Sequence, residues 1–201
     1  FVRLPEGWHE KLVGLDGEGR LCFGLAADAE PGPPAPGKPL QVIEAGHARA
    51  RLMTRLAARI AGQGGALLVI DYGYDTPAGG ETLQAVNRHR FADPLRDPGE
   101  ADLSAHVDFC GLSQAARAAA ARVYGPVPQG EWLARLGIHE RAAALRRNAG
   151  ERQRAAIDSA LLRLAGNEAH PSGATMARLF KVLAVTAPGL AALPGFETAL
   201  A

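Results

Sequence analysis

The sequence predicts an α/β fold: a mostly parallel sheet with a late antiparallel strand, preceded by antiparallel hairpins. Three observations support this prediction. The run Ala66–Ile70 is continuously apolar between glycines and polar residues, which is typical of a parallel strand covered on both faces. Helical and strand patterns alternate after it, and a second long apolar strand pattern comes late, at Leu179–Thr186. Before residue 29, Asp-Gly and Pro-containing turns separate short strand patterns.

The first 28 residues are predicted to form the hairpin region. Strand patterns lie at Val2–Leu4, Trp8–Leu15 and Arg20–Leu25, and Trp8 and His9 are predicted to be hairpin surface residues. Residues 29–39 hold five of the 14 prolines, which predicts an exposed connection. Residues 40–201 then form the α/β part of a single domain.

Further elements are predicted on both sides of the apolar run. Apolar residues recur at intervals of three and four from His47 to Ala61, which predicts an amphipathic helix with solvated arginines. Gly62–Gly65 end this helix and precede the strand, whereas a phosphate or dinucleotide loop follows one, so we expect no cofactor loop there. An alanine-rich helix, capped by Asp108 or Ser113, is predicted to run through Arg122, and a short strand at Val123-Tyr124 is closed by Gly125-Pro126.

A helical segment is predicted at 131–165. It consists of a helix at Glu131–Leu136 and a helical stretch at His139–Leu164 that is interrupted near Asn148–Gly150.

Composition limits the function classes. The chain has 201 residues, 47% of them hydrophobic and 21% charged, which suits one globular α/β domain. A net charge of +1 without a Lys/Arg block gives no sign of a nucleic-acid partner. Cys22 and Cys110 lack the spacing of a zinc or disulfide site, which favours a reducing cytoplasm. We see no apolar run long enough to span a membrane and no signal-peptide pattern.

The first candidate site follows the apolar run. The run stops on Asp71-Tyr72-Gly73-Tyr74, and ligands of open α/β sheets bind outside the carboxyl ends of the strands. A carboxylate fixed at a strand end can pair with a guanidinium through two hydrogen bonds. Asp71 is therefore either a ligand for a cationic substrate or a loop cap through an Asx turn, and both interpretations stay open.

A second polar group lies about thirty residues later, in a segment without helical or strand periodicity. Glu100, Asp102, His106 and Asp108 lie among small residues there, which suggests an ordered functional loop. His106 is a general base, a ligand or simply a hydrogen-bonded side chain, and Asp108 is a catalytic group or a helix N-cap. An oxygen-rich metal site, or a metal-dependent hydrolase, is an open alternative, although the spacing matches no standard metal loop. Its ligands would be His106 and Asp108 with the nearby Asp93, Asp97 and Asp102.

Topology predicts that these two groups share one pocket. If a helix starts near Asp108 and runs back along the sheet, its N-terminus lies at the edge where the strand before Asp71 ends. Asp71, His106 and Asp108 would then meet in one crevice.

Five consecutive blocks of the sequence resemble one known family. They are LLVIDYGYD, TLQAVNRHRFADPL, PGEADLSAHVDF, YGPVPQGEWLARLGI and LFKVLAVT. In this order they resemble the MidA-type S-adenosylmethionine-dependent methyltransferases, a family that includes the mitochondrial complex I assembly factor that methylates an arginine of a complex I subunit. The resemblance covers roughly Gly64 to Phe196.

The resemblance implies a class I methyltransferase fold with Ala66–Ile70 as the fifth strand. It implies S-adenosyl-L-methionine as cofactor, with donor-binding residues upstream of Phe1, so this chain is expected to be the C-terminal half of the parent protein. It further implies a protein substrate, of which a complex I subunit is one candidate, and no membrane span. The implied location is the bacterial cytoplasm or the mitochondrial matrix, and a homodimer stays open. Asp71, His106 and Asp108 are then the candidate catalytic residues, and Tyr72, Gly73, Tyr74, Glu100 and Asp102 the candidate substrate-binding residues, with no metal ligand.

Three positions depart from the family pattern. Trp132 stands where phenylalanine is expected, Ala177 stands where glycine usually precedes the LFKV block, and Glu44-Ala45-Gly46 departs from an acidic-x-Ser-Pro pattern. The last departure weakens the match before Gly64. The rival interpretation is a non-catalytic assembly module that keeps the methyltransferase fold.

Overall fold

The computed structural model describes residues 1–31, 42–76, 80–166, 175–190 and 193–196. The chain forms two compact units, which we call the hairpin unit (Phe1–Gly46 and Pro77–His106) and the sheet unit (His47–Thr76 and Val107–Ala201). Within the described ranges, none of the helices is long and apolar enough to cross a membrane.

In chain order, the elements are β1 (Val2–Leu4), β2 (Gly7–His9), β3 (Lys11–Leu15), β4 (Leu21–Leu25), α1 (His47–Gln63), β5 (Ala66–Tyr74), β6 (Gln84–Asn87), β7 (Arg90–Ala92), β8 (Asp102–Ser104), β9 (Val107–Asp108), α2 (Phe109–Ala118), β10 (Arg122–Pro128), α3 (Gln129–Arg135), α4 (Ile138–Arg147), α5 (Glu151–Ala165), α6 (Met176–Leu179) and β11 (Phe180–Thr186).

The hairpin unit consists of three small antiparallel sheets: β1 with β2, β3 with β4, and β6 between β7 and β8. The β3–β4 turn is held by Asp16, whose carboxylate accepts the backbone N–H groups of Glu18 and Arg20, both at 2.9 Å. The hydrogen bond from the Arg20 backbone, followed by that from the Arg20 side chain, lowers the pKa of the Asp16 carboxyl below its ordinary value. The predicted hairpin with its Asp-Gly turn is therefore confirmed.

The predicted strand Trp8–Leu15 is interrupted, and its first residues are not on the surface. Trp8 is 7% exposed and His9 is 4% exposed. Trp8 bridges Glu30, and His9 Nδ1 lies 2.8 Å from the Ala26 carbonyl oxygen. The prediction of surface residues was wrong because residues 26–30, which are distant in sequence, cover this strand. The remainder of the proline-rich connection predicted at 29–39 lies outside the described residues from residue 32 onwards.

The sheet unit contains a four-stranded sheet in the order β10-β11-β5-β9. β5 pairs in parallel with β9, and β11 pairs antiparallel with both β5 and β10, so β5, β9 and β10 run in one direction. This confirms the prediction of a parallel sheet with a late antiparallel strand. The two apolar runs are neighbours, since Val182 pairs with Ile70 and Leu183 with Val69.

Both faces of β11 are covered. On one face Leu183 and Val185 pack in a core with side chains of α1 and α2, and on the other Val182 and Ala184 pack with Tyr124 and Phe196. The alternation of a strand explains this arrangement, because successive side chains point to opposite faces. β11 is therefore the centre of the hydrophobic core of this unit.

β5 is covered on one face only, which corrects the prediction. Leu67 and Val69 pack against the core that contains α1 and α2, whereas Leu68 is 47% exposed and Ile70 is 42% exposed. The strand also extends to Tyr74 instead of ending at Ile70, because Asp71 and Tyr72 continue the pairing with β11.

Other boundaries also differ from prediction. α2 ends at Ala118 rather than Arg122, after which Ala120 adopts a left-handed φ of 59°. β10 then runs on to Pro128, with a register shift between Tyr124 and Val127. The segment between Asp71 and Asp108, interpreted from the sequence as a loop, contains the strands β6 to β9. Each of these strands has two to four residues and is too short to show a period. The helices before and after Asn148–Gly150 are confirmed as α4 and α5.

Candidate functional site

Asp71 lies within β5, opposite Lys181 of β11. Its Oδ1 accepts the backbone N–H of Tyr72 at 2.8 Å. An Asx turn would instead use the N–H two residues on, at Gly73, so this hydrogen bond is not an Asx turn. Its Oδ2 makes no hydrogen bond or ion pair to any other residue that the structure describes. Lys181 instead pairs with Asp75, at 3.2 Å between Nζ and Oδ2. Among the described residues, Asp71 is therefore hydrogen-bonded through Oδ1 alone.

The residues after Asp71 close the carboxyl end of β5. Tyr72 packs edge-on against Phe180, with 5.5 Å between ring centroids. Gly73 is buried beside Val107, and a Cβ atom at position 73 would lie 2.1 Å from the Val107 carbonyl oxygen. Gly73 is therefore required for β9 to lie beside β5.

Asp108 is the last residue of β9, where it pairs with Tyr74 of β5, and the helix α2 follows it directly. Its Oδ1 accepts the Gly111 N–H at 2.9 Å, so Asp108 is the N-cap, whereas the Ser113 hydroxyl donates to the Phe109 carbonyl oxygen within the helix. The start of α2 and the end of β5 lie at one edge of the sheet, as topology predicted. Along the strand, Asp71 lies three residues from Tyr74, or roughly 10 Å, and alternation places it on the opposite face.

His106 belongs to the hairpin unit and is held by a chain of hydrogen bonds. Its backbone N–H donates to Thr82 Oγ1 at 2.9 Å. The Thr82 hydroxyl donates to Glu44 Oε2 at 2.5 Å, and the Thr82 N–H donates to Glu44 Oε1 at 2.7 Å. Glu44 therefore fixes Thr82 through both carboxylate oxygens, and Thr82 fixes the backbone at His106.

Sequence reasoning missed Glu44 and Thr82 as members of the site. The available signal was the acidic first position of the Glu44-Ala45-Gly46 motif, which retains its carboxylate although Gly46 stands where the family pattern has serine. The contact itself joins positions 38 residues apart, which no local pattern reveals.

Glu100 and Asp102 are exposed residues of the hairpin unit. Asp102 pairs with Val86 in the β6–β8 ladder, and the Glu100 N–H donates to the Asp97 carbonyl oxygen in a turn. In the described part of the chain, His, Cys, Asp and Glu side chains form no group of three or more that could hold a metal ion. The structure therefore offers no support for the metal-dependent alternative.

The described residues do not provide a site for the implied methyl donor. Such a site needs a glycine-rich turn between a strand and a helix N-terminus. Gly64 and Gly65 come before β5, and where a described strand leads directly into a helix, at Asp108-Phe109 and Pro128-Gln129, the junction contains no glycine. None of the described residues is therefore assigned to donor binding.

Comparisons with known proteins agree with this fold. Residues 1–127 match the family model described as a putative S-adenosyl-L-methionine-dependent methyltransferase. The chain is 35% identical over 155 residues to the rat protein arginine methyltransferase NDUFAF7, mitochondrial, covering 75% of this chain and 35% of the rat protein. It is 34% identical over 149 residues to the human protein of that name, covering 72% of this chain and 33% of the human protein. The chain thus spans about a third of the length of these relatives.

Solved structures show the same relationship. A likely methyl transferase from Burkholderia thailandensis, bound to S-adenosyl-homocysteine, matches with a TM-score of 0.75 at 25% identity, over 96% of this chain and 51% of that one. A second structure from that organism, of an uncharacterized protein of the COG1565 superfamily, matches with a TM-score of 0.78 over 98% of this chain and 54% of that one. The fold is that of a class I methyltransferase, and the cofactor of the family is S-adenosyl-L-methionine. The chain belongs to the S-adenosyl-L-methionine-dependent methyltransferase family that this model describes.

Proposed function

We propose that the protein is a protein-arginine N-methyltransferase and that the described residues form its acceptor side. The observation that carries this proposal is the uncommitted Oδ2 of Asp71 within β5, in a chain whose relatives are named protein arginine methyltransferases. A guanidinium has paired N–H groups that match a carboxylate. Asp71 would therefore orient the substrate arginine for attack, since transfer requires the reacting nitrogen to be held in line.

The other predicted residues receive supporting roles in this proposal. Tyr72 and Tyr74 contact the substrate at the carboxyl end of β5, and Gly73 keeps the backbone of β9 close. Asp108 caps α2 at that edge, and His106 is a further candidate catalytic side chain. Glu100 and Asp102 contact the protein substrate farther from the reacting nitrogen. We also propose that Asp71 and Asp108 are coupled in methyl transfer through the end of β5, which a double-mutant cycle tests, because purely additive effects would contradict it.

The central test is Asp71→Ala in the full-length protein. Loss of a charge-assisted hydrogen bond of about 1.5–3 kcal/mol should slow methyl transfer about ten- to a hundredfold. Asp71→Asn is the matched control, because it keeps the bond to the Tyr72 N–H but lacks the charge, and it should also be slow. A variant that unfolds early yet retains full activity per folded molecule would show that Asp71 has only a structural role.

Donor binding supplies a second test. We propose that the donor is held by parts of the protein outside these 201 residues, because the described residues lack the required glycine-rich turn. Calorimetry with S-adenosylmethionine should detect no binding to residues 1–201 alone and clear binding to the full-length protein. Micromolar binding to residues 1–201 would contradict the proposal, whereas absence of binding to the full-length protein would favour a non-catalytic assembly module.

The substrate and setting are also proposals. We propose a respiratory complex I subunit as substrate, and the mitochondrial matrix or the bacterial cytoplasm as location, since the relatives are named mitochondrial. Incubation of purified complex I subunits with labelled donor, followed by mass spectrometry, would identify a methylated arginine.

We further propose a homodimer, because Val13, Leu15 and Phe23 form an exposed apolar face on β3 and β4. Sedimentation of the protein and of Leu15→Asp tests this, and a monomeric wild type would contradict it.

A further inference from the structure

The helices α4 and α5 of the sheet unit border a cleft of about 440 Å³. His139, Arg146 and Arg147 line it from α4, and Arg154 lines it from α5. The spacing of seven and eight residues from His139 to the two arginines keeps all three on one side of α4, because an α-helix repeats every 3.6 residues. At 1.5 Å per residue, this rim is roughly 10 Å long, or about three residues of an extended peptide.

The rim carries unbalanced positive charge. Arg146 forms an ion pair with Asp158. Arg147 and Arg154 are exposed, and no carboxylate among the described residues lies within ion-pair distance of either. The two helices contain six arginines but only three acidic residues, whereas the whole chain has a net charge of +1. This helix pair therefore carries a net positive charge, as does α1, which contains four arginines and no acidic residue.

The floor of the cleft is apolar. Ala142 is buried between the helices, and Ala143 and Leu161 complete the floor. A site for a small anion would need buried donors directed at one point, but the charged groups here lie on the exposed rim. A nucleic acid is also a poor match. Among the described residues, no Phe, Tyr or Trp lines the cleft for base stacking, and Glu140, Glu151 and Asp158 on the same helices would repel phosphates. An acidic peptide with one apolar residue matches both rim and floor.

We propose that this cleft binds a short acidic segment of a partner protein. Its carboxylates pair with Arg147 and Arg154, and an apolar side chain between them packs on Leu161. Guanidinium and carboxylate groups form paired hydrogen bonds, which gives the rim its selectivity for acidic side chains. This interaction is separate from methyl transfer, and its test does not depend on enzymatic activity.

The test is fluorescence anisotropy of the protein with a labelled peptide, Glu-Asp-Leu-Glu-Asp, at low salt. We expect saturable binding that is weakened about tenfold or more by the double variant R147E/R154E. The matched control is R141E/R152E, which makes the same charge change on exposed positions of the same helices outside the cleft and should alter affinity less than about threefold. A peptide with Ser in place of Leu should bind several-fold more weakly.

Three outcomes would overturn the proposal. Equal weakening by both double variants would show diffuse electrostatic attraction instead of a site. Absence of saturable peptide binding would exclude the acidic segment, as would tighter cleft-dependent binding of a five-nucleotide RNA or of inorganic phosphate. Circular dichroism on heating shows whether each variant folds, and R147Q/R154Q, which keeps side-chain length, replaces the charge reversal if R147E/R154E does not. The expected loss of affinity is then smaller but still greater than for R141Q/R152Q.

Discussion

Buried apolar side chains hold the sheet unit together, whereas the hairpin unit depends more on hydrogen bonds and ion pairs between half-exposed residues. Leu183 and Val185 in the sheet unit are fully buried, and Thr82 with Glu44 in the hairpin unit is only partly so. The comparison teaches that one chain can combine a region in which packing determines stability with a region in which polar contacts determine position. Four predictions test this contrast.

The largest expected effect is in the core of the sheet unit. Leu183→Ala should lower the free energy of unfolding by about 2–5 kcal/mol, because it leaves a cavity at a fully buried position. Leu103→Ala makes the same chemical change in the hairpin unit, at a residue that is 60% exposed and outside the proposed dimer face, and should change this free energy by about 0.5 kcal/mol or less. Urea unfolding followed by circular dichroism measures the free energy of unfolding of both variants. Equal losses would show that the two units do not differ in their dependence on packing.

The next effect concerns the polar contacts of the hairpin unit. Thr82→Val removes the hydroxyl that joins Glu44 to the His106 backbone, and should cost about 1–3 kcal/mol because two part-buried partners lose a hydrogen bond. Hydrogen exchange of the His106 amide should accelerate accordingly. Thr82→Ser retains the hydroxyl and should exchange like the wild type. Unchanged exchange in the valine variant would mean that packing holds His106.

Asp108 tests whether a polar contact also matters in the sheet unit. Asp108→Ala removes the N-cap of α2 and should cost about 1 kcal/mol. Asp108→Asn can still accept the Gly111 N–H and should cost less. Chemical unfolding measures both variants. A loss for Asp108→Ala as large as that for Leu183→Ala would place polar contacts on a level with packing in this unit.

The smallest effect is a pH dependence in the β3–β4 turn. Hydrogen bonds from Arg20 lower the folded-state pKa of Asp16, so its stabilising contribution is complete above the ordinary pKa and is lost as the pH falls through the lowered value. An NMR titration should show the Arg20 amide shifting in that acidic range. Asp16→Asn should abolish this transition while the fold remains. A midpoint at or above the ordinary value for aspartate would refute the role of these hydrogen bonds.

Local patterns predicted the elements of the sheet unit well. The helical period before Gln63, the interruption at Asn148–Gly150 and the apolar run of β11 all depend on neighbouring residues, and each was found. Asp108 was anticipated as a cap for the same reason. The coverage of β5 could not be predicted, because an apolar sequence does not show whether other elements cover both faces of a strand.

The candidate site was less accessible from sequence. Thr82 contacts Glu44 and His106, which lie 38 and 24 residues away, so the contact depends on the path of the chain and not on local spacing. β6 to β9 were missed because strands of two to four residues leave no measurable period. Asp71 was expected to follow the strand, and its place inside β5 depends on the partner strand β11.

The close contact at Gly73 has a consequence for how this protein can change. The segment from Tyr74 to His106 starts and ends at one fixed junction, because β9 returns to the end of β5. Closing a flexible segment costs only about 0.6 kcal/mol more for each doubling of its length. Insertions and deletions in the turns between β6, β7 and β8 should therefore be tolerated, whereas Gly73→Ala would force the two backbones apart. Position 73 has little freedom to vary, and the turns of the segment that it anchors have more.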